Sequence, residues 1–98
     1  MNKKERQWQR GKVATKIRKD SDGTHVRYHH TDVVTVKKDK IVLRHNGWKT
    51  ITTKNRMNQV SELYGLSYSV VKKDGDLYVT DKNGDVHEFY NQTLTLQR

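Results

Sequence analysis

Turn signals recur along this chain at short intervals, at Asp22-Gly23, Lys38-Asp39, Asn46-Gly47, Asp74-Gly75 and Asn83-Gly84, and four of the five are Asx-Gly pairs. Such a pair supplies the two positive φ angles of a type I′ turn, whose twist matches the strands it joins. The chain between the signals is therefore read as short antiparallel strands in a meander. A two-residue loop at Asp22-Gly23 sets Ile17 opposite Tyr28 and Lys19 opposite Val26, and puts Val13, Thr15, Ile17, Val26, Tyr28 and His30 on one face. A loop at Lys38-Asp39 sets Val36 beside Ile41 and Val34 beside Leu43. Both registers bring apolar side chains together, as one buried sheet face requires.

After Asn46-Gly47 the period changes. Met57, Val60 and Tyr64, with Leu63 adjoining, trace one helical face over residues 53–65. Thr53 is placed as the N-cap and Gly65 as the left-handed C′ residue, with Leu66 folding back on Val60. Beyond the helix, residues 66–71, 77–80 and 86–90 alternate as strands across Asp74-Gly75 and Asn83-Gly84, and Leu94 and Leu96 suggest one last short strand. Pairing across those turns puts Val71, Tyr78 and Phe89 on one face and Tyr68, Val70, Leu77, Val79, Val86 and Tyr90 on the other. Both faces of this second sheet are then partly apolar. The fold class is α+β: two antiparallel meander sheets, curling toward a small barrel or sandwich, with one short helix between them.

Hydrophobic and charged residues each make up 32% of the 98 residues, which allows one lean core and one domain. That domain is placed at residues 12–98. Residues 1–11, with Trp8 isolated among charges, read as a flexible basic arm. The absence of cysteine excludes a disulfide framework and a thiolate zinc site, and points to a reducing compartment. No apolar run approaches the ~20 residues that span a bilayer, and no apolar segment follows the charged N-terminus to act as a signal, so the expectation is a cytosolic protein with no membrane partner.

The net charge is +9, and +6 of it falls in residues 1–20, where eight Lys/Arg face Glu5 and Asp20. Such asymmetry marks affinity for a polyanion, because each neutralised phosphate releases condensed counterions; simple solubility is the bland reading. The segment Gly47-Trp48-Lys49-Thr50-Ile51-Thr52-Thr53-Lys54-Asn55-Arg56 runs from a strand into the helix start, and there Lys54 and Arg56 oppose the helix dipole. An anion at that end would answer them. Thr52, Thr53 and the first-turn amides could cradle a phosphate, while Lys49, Lys54 and Arg56 neutralise it and Lys12, Lys16 and Arg18 hold others. Trp48 could offer its ring to a base, but the better reading of Trp48 is core. The opposing reading of this end is a carboxylate from the second sheet that satisfies it.

Enzymatic chemistry finds no support. His29 and His30, consecutive in a strand, point to opposite faces; His25 shares a face with His29, and His45 and His87 fall in other hairpins, so no three-ligand metal site is read. Most acids sit in turns, as Asp20, Asp22, Asp39, Asp74, Asp81 and Asp85. No phosphate loop, nucleophile elbow or paired-carboxylate spacing occurs, and no cofactor is expected.

Two stretches carry a family resemblance: residues 24–35, containing Val26-Arg27-Tyr28-His29-His30-Thr31-Asp32-Val33-Val34-Thr35, and residues 47–58, Gly-Trp-Lys-Thr-Ile-Thr-Thr-Lys-Asn-Arg-Met-Asn. With the hairpin at Asp76-Leu77-Tyr78-Val79, they resemble a family of small proteins of tailed bacteriophages over residues 13–96, the basic arm standing as peculiar to this chain. The resemblance implies the bacterial host cytoplasm and carries over no activity and no functional residue. Small phage proteins commonly bind nucleic acid or cover a surface of a host or phage protein. The first expectation is thus a non-enzymatic module binding nucleic acid through phosphates; the alternative is a protein-contact module using the second sheet or its edges.

Overall fold

The computed structural model describes residues 15–98. The basic arm at 1–11, Trp8, Lys12 and Val13 lie outside the described residues. Eight strands and one helix follow in the order β1 Thr15–Asp20, β2 Gly23–Tyr28, β3 Thr31–Val36, β4 Lys40–Arg44, α1 Ile51–Tyr64, β5 Ser69–Lys73, β6 Asp76–Thr80, β7 Val86–Glu88 and β8 Thr93–Gln97. They form two antiparallel sheets, of order β1-β2-β3-β4-β8 and β5-β6-β7. Neither closes into a barrel, and the architecture is the expected α+β pair of sheets with a helix between them. The last strand leaves its sequence neighbours and joins the first sheet, pairing Leu94 with Leu43 and Leu96 with Ile41.

The β3–β4 register is as read: Val34 faces Leu43 and Val36 faces Ile41. The β1–β2 register differs by two residues, with Ile17 opposite Val26 and Thr15 opposite Tyr28. The cause is local. One carboxylate oxygen of Asp20 accepts the N–H groups of Asp22 and Gly23, so the turn residues are Ser21 and Asp22, and Gly23 already belongs to β2. A shift of two preserves the face, and Thr15, Ile17 and Val26 are buried as expected. His30 does not extend that face, because His29 and His30 are the turn between β2 and β3, His29 at φ 57°. Neither histidine is in a strand, so His25 shares no strand face with His29. Beyond the turn, β3 carries a bulge that lets Val33 and Val34 both be buried.

Across the turn after β6 the register is off by one, and a slip of one changes every face. The N–H of Asp81 donates to Asp85 O and that of Gly84 to Asp81 O, closing a three-residue loop with Gly84 at φ 86°. Asp81 Oδ1 accepts the amides of Asn83 and Asp85, which selects this loop over the two-residue one. Thr80 therefore faces Val86. Phe89, whose N–H donates to Leu77 O, turns into the core with Val70, Leu77 and Val79. Val71, Val86 and Tyr90 lie exposed.

The helix starts three residues before the expected cap: Thr50 is the N-cap, its hydroxyl oxygen accepting Thr53 N–H at 3.2 Å. Gly65 ends it in the left-handed conformation, with Leu66 N–H bonded to Ser61 O at 2.9 Å. Met57 and Val60 point into one core shared with both sheets. On its other flank the helix covers the free edge of β5: Asn58 accepts Val70 N–H at 2.7 Å and donates to Val70 O at 2.8 Å, and Ser61 pairs in the same way with the backbone of Tyr68. These side chains stand in for a missing strand.

Candidate functional site

At the end of the first sheet where the chain turns from β2 to β3, the segment between β4 and α1 passes alongside, and a cleft of about 520 Å³ opens between them. One wall is the turn itself, Tyr28, His29, His30 and Thr31, with Val33 of the bulge beneath. The other is His45, Asn46 and Trp48, leading to Thr50, Thr52 and Thr53 at the helix start. Among the described residues no carboxylate lines the cleft.

Each wall is held by identifiable bonds. His45 is buried, and its ring bonds Phe89 O through Nε2 at 3.1 Å and Gly47 N–H through Nδ1 at 3.0 Å. The N–H of Trp48 donates to His45 O at 2.7 Å. The segment is thus nailed to a core side chain while the indole stays 66% exposed, which corrects the reading of Trp48 as core. Its neighbours explain the outcome: His45, not Trp48, fills the inward position, its ring centroid 4.5 Å from that of Phe89 and tilted by 54°. On the opposite wall the rings of Tyr28 and His29 stand 4.3 Å apart, tilted by 53°, and the Arg56 guanidinium lies 5.4 Å from the Tyr28 centroid.

The predicted site residues divide among three places. Thr52 and Thr53 line the cleft, though the Thr53 side chain is buried and its oxygen accepts the Thr50 hydroxyl at 3.0 Å. With Thr53 N–H capped, the amides of Ile51 and Thr52 have no intrahelical acceptor and face the entrance side of the helix. Lys49, Lys54 and Arg56 stand outside the lining. Lys49 Nζ lies 2.6 Å from Asp76 of the second sheet, so a carboxylate from that sheet does reach this end, but it answers Lys49 alone. Arg56 donates to Gln59 at 2.6 Å, and Lys54 sits half-buried in the first turn without an ion pair among the described residues. Lys16 and Arg18 are far along the chain on the outer face of β1, where Arg18 lies between Asp20 and Asp32 at 3.6 and 3.5 Å.

A family model described as Kyanoviridae Gp96 protein matches residues 1–96. The chain belongs to the Kyanoviridae Gp96 protein family. This is a phage protein family, in line with the resemblance to tailed-bacteriophage proteins. No curated protein and no solved structure matches the chain. The Gp96 match includes the basic arm, which corrects the reading of that arm as peculiar to this sequence.

Within this Gp96-family fold the sequence reading missed Tyr28, His29, His30, His45 and Asn46 as cleft residues. The available signal was weak: His29 and Asn46 both adopt positive φ, a conformation that His and Asn tolerate better than most residues. The remaining histidines are engaged elsewhere, His25 between Asp20 at 3.0 Å and Thr35 at 3.2 Å, and His87 on Asp81 at 2.8 Å. Hydrogen bonds from these two rings are the largest cause holding the Asp20 and Asp81 carboxyls below the usual carboxylate range. Among the described residues no three His, Asp or Glu side chains are placed to hold a metal ion, and no helix is long and apolar enough to cross a membrane.

Proposed function

We propose that this phage protein is a non-enzymatic basic module that binds nucleic acid through its phosphates in the host cytoplasm. The observation that carries the reading is the carboxylate-free cleft at the positive end of the helix, in a chain of net charge +9. A helix N-terminus attracts anions through its free amides and its dipole; among the described residues no acidic side chain lines the cleft there, and Asp76, which reaches this end, is taken up by Lys49. Lys54 in the first turn adds charge that no carboxylate among the described residues answers. The test is an anisotropy titration of a labelled single-stranded oligonucleotide at several salt concentrations. Affinity should fall linearly in log–log form with salt, since each phosphate contact releases about one counterion. No binding at low salt would remove the reading.

A second reading has its own observation. The outer face of β5–β7 exposes Val71, Val86 and Tyr90, with the Tyr90 and Tyr78 hydroxyls 3.4 Å apart. Such a face suits a host or phage protein partner. A pull-down from host lysate with and without nuclease separates the two, because a protein partner survives the nuclease.

A further inference from the structure

We infer that the cleft takes one unstacked nucleobase against the indole of Trp48, so that the protein prefers single strands and reads their bases' faces as well as their phosphates; this rests on the nucleic-acid reading above. The indole is placed for it. Its backbone is tied through Trp48 N–H to His45 O, and His45 is itself bonded to Phe89 O and Gly47 N–H, so the ring stands on a well-bonded support with most of its surface left in water. A large aromatic side chain left 66% in water beside a concave site gains its burial only when something covers it.

The opposite wall has the matching chemistry. Tyr28 and His29 form an aromatic pair, and Arg56 holds the Tyr28 ring by a cation–π contact. Asn46 and Thr52 supply amide and hydroxyl groups around the opening, which can bond to base edges without choosing one base, while the Thr50 hydroxyl is engaged in the helix cap. The volume of about 520 Å³ falls in the range of sites for small organic ligands and admits a base with its sugar. Charge complementarity selects the occupant. Among the described residues the lining carries no carboxylate and lies at the positive helix end, so a flat ring attached to phosphate fits where a neutral or cationic aromatic would gain nothing from the field. A base within a duplex has both faces covered, whereas a single strand can present one.

The experiment uses the full chain carrying Trp8→Phe, which leaves Trp48 as its single tryptophan. Trp48 fluorescence and affinity are followed with a short oligothymidylate, an abasic strand of equal length, the corresponding duplex and inorganic polyphosphate. Quenching by oligothymidylate, and binding roughly ten- to a hundredfold tighter than the abasic strand, is the expected result, with Trp48→Ala removing that advantage. Circular dichroism of Trp48→Ala should show an unchanged fold, since the ring is exposed. Equal affinity for abasic and base-bearing strands, with the indole unquenched, overturns the base pocket and leaves phosphate binding standing. Failure of every probe to bind at low salt overturns both.

Discussion

The Nε2–H of His45 donates to the carbonyl oxygen of Phe89, 3.1 Å away and forty-four residues later in the chain. Since Gly47 N–H can only donate, Nδ1 of His45 must accept it, and the ring is held neutral with its one proton on Nε2. This bond ties the end of β4 to the chain leaving β7 and so supports the wall that carries Trp48.

Acid should loosen that support. Burial is the largest cause lowering the His45 pKa from its ordinary 6.5; the Phe89 carbonyl acts against it, and the Lys49 ammonium adds to it. A depressed folded-state value means that the unfolded chain takes up a proton first. The contribution is complete above about pH 6.5 and is lost as pH falls below that toward the folded value, with a slope of at most about 1.4 kcal/mol per pH unit. Urea midpoints should fall from pH 7.5 to pH 5. The lowered Asp20 and Asp81 carboxyls act in a separate window, below their unfolded value of 3.8. A midpoint that stays level between pH 7 and pH 5 would contradict the buried neutral ring.

Lys49 and Asp76, 2.6 Å apart and each about one-third exposed, join the helix-entry segment to the second sheet. At that exposure a double-mutant cycle of Lys49→Gln and Asp76→Asn should give a coupling of about 0.5–1 kcal/mol, smaller at high salt. Lys49→Gln should shift the salt slope of nucleic-acid binding less than Lys54→Gln does, because Asp76 already neutralises Lys49.

Changing Lys54 and Arg56 together to Gln should reduce the magnitude of the salt slope by about 1–2 units. The single variants separate charge from structure. Lys54→Gln should leave stability unchanged or a few tenths of a kcal/mol higher, as an unfavourable charge–dipole contact disappears. Arg56→Gln should lose about 0.5–1 kcal/mol with the Tyr28 contact. Equal stabilities for the two would show that Arg56 does not brace Tyr28.

Gly23→Ala should be the most damaging small substitution in the first sheet. A Cβ there would stand 2.2 Å from the Val36 carbonyl oxygen, backbone that cannot move aside, at φ 145°. A loss of roughly 3 kcal/mol or more is expected. Gly75→Ala meets no atom within 4 Å and should lose about 1–2 kcal/mol from its positive φ alone. Thermal melts of the two variants give the comparison.

Much of the architecture was legible because it is written in short-range pattern. Alternation of Val34, Val36, Ile41 and Leu43 around Lys38-Asp39 defines one register that buries all four, and no slip of one residue can imitate it. Gly65 likewise marks the helix end by itself, since few other residues adopt its left-handed conformation without strain. The β1–β2 face survived a misplaced turn for the same reason: period two forgives a shift of two. It does not forgive a shift of one, and the Asp81 side chain, by selecting a three-residue loop, reversed the faces expected for Val86, Phe89 and Tyr90.

The sequence by itself determined the α+β class, the β3–β4 hairpin, the helix found among the described residues and the basic charge that any partner must meet. Tertiary structure alone decided the site. Trp48 and His45 are equally able, as side chains, to fill the core, and which does so depends on Phe89 arriving from another sheet with a free carbonyl for Nε2. The cleft needs the His29-His30 turn beside the segment entering α1, two stretches separated by β3 and β4. Their approach follows from where β8 pairs and how the helix covers β5, contacts between residues far apart in the chain that no local periodicity encodes.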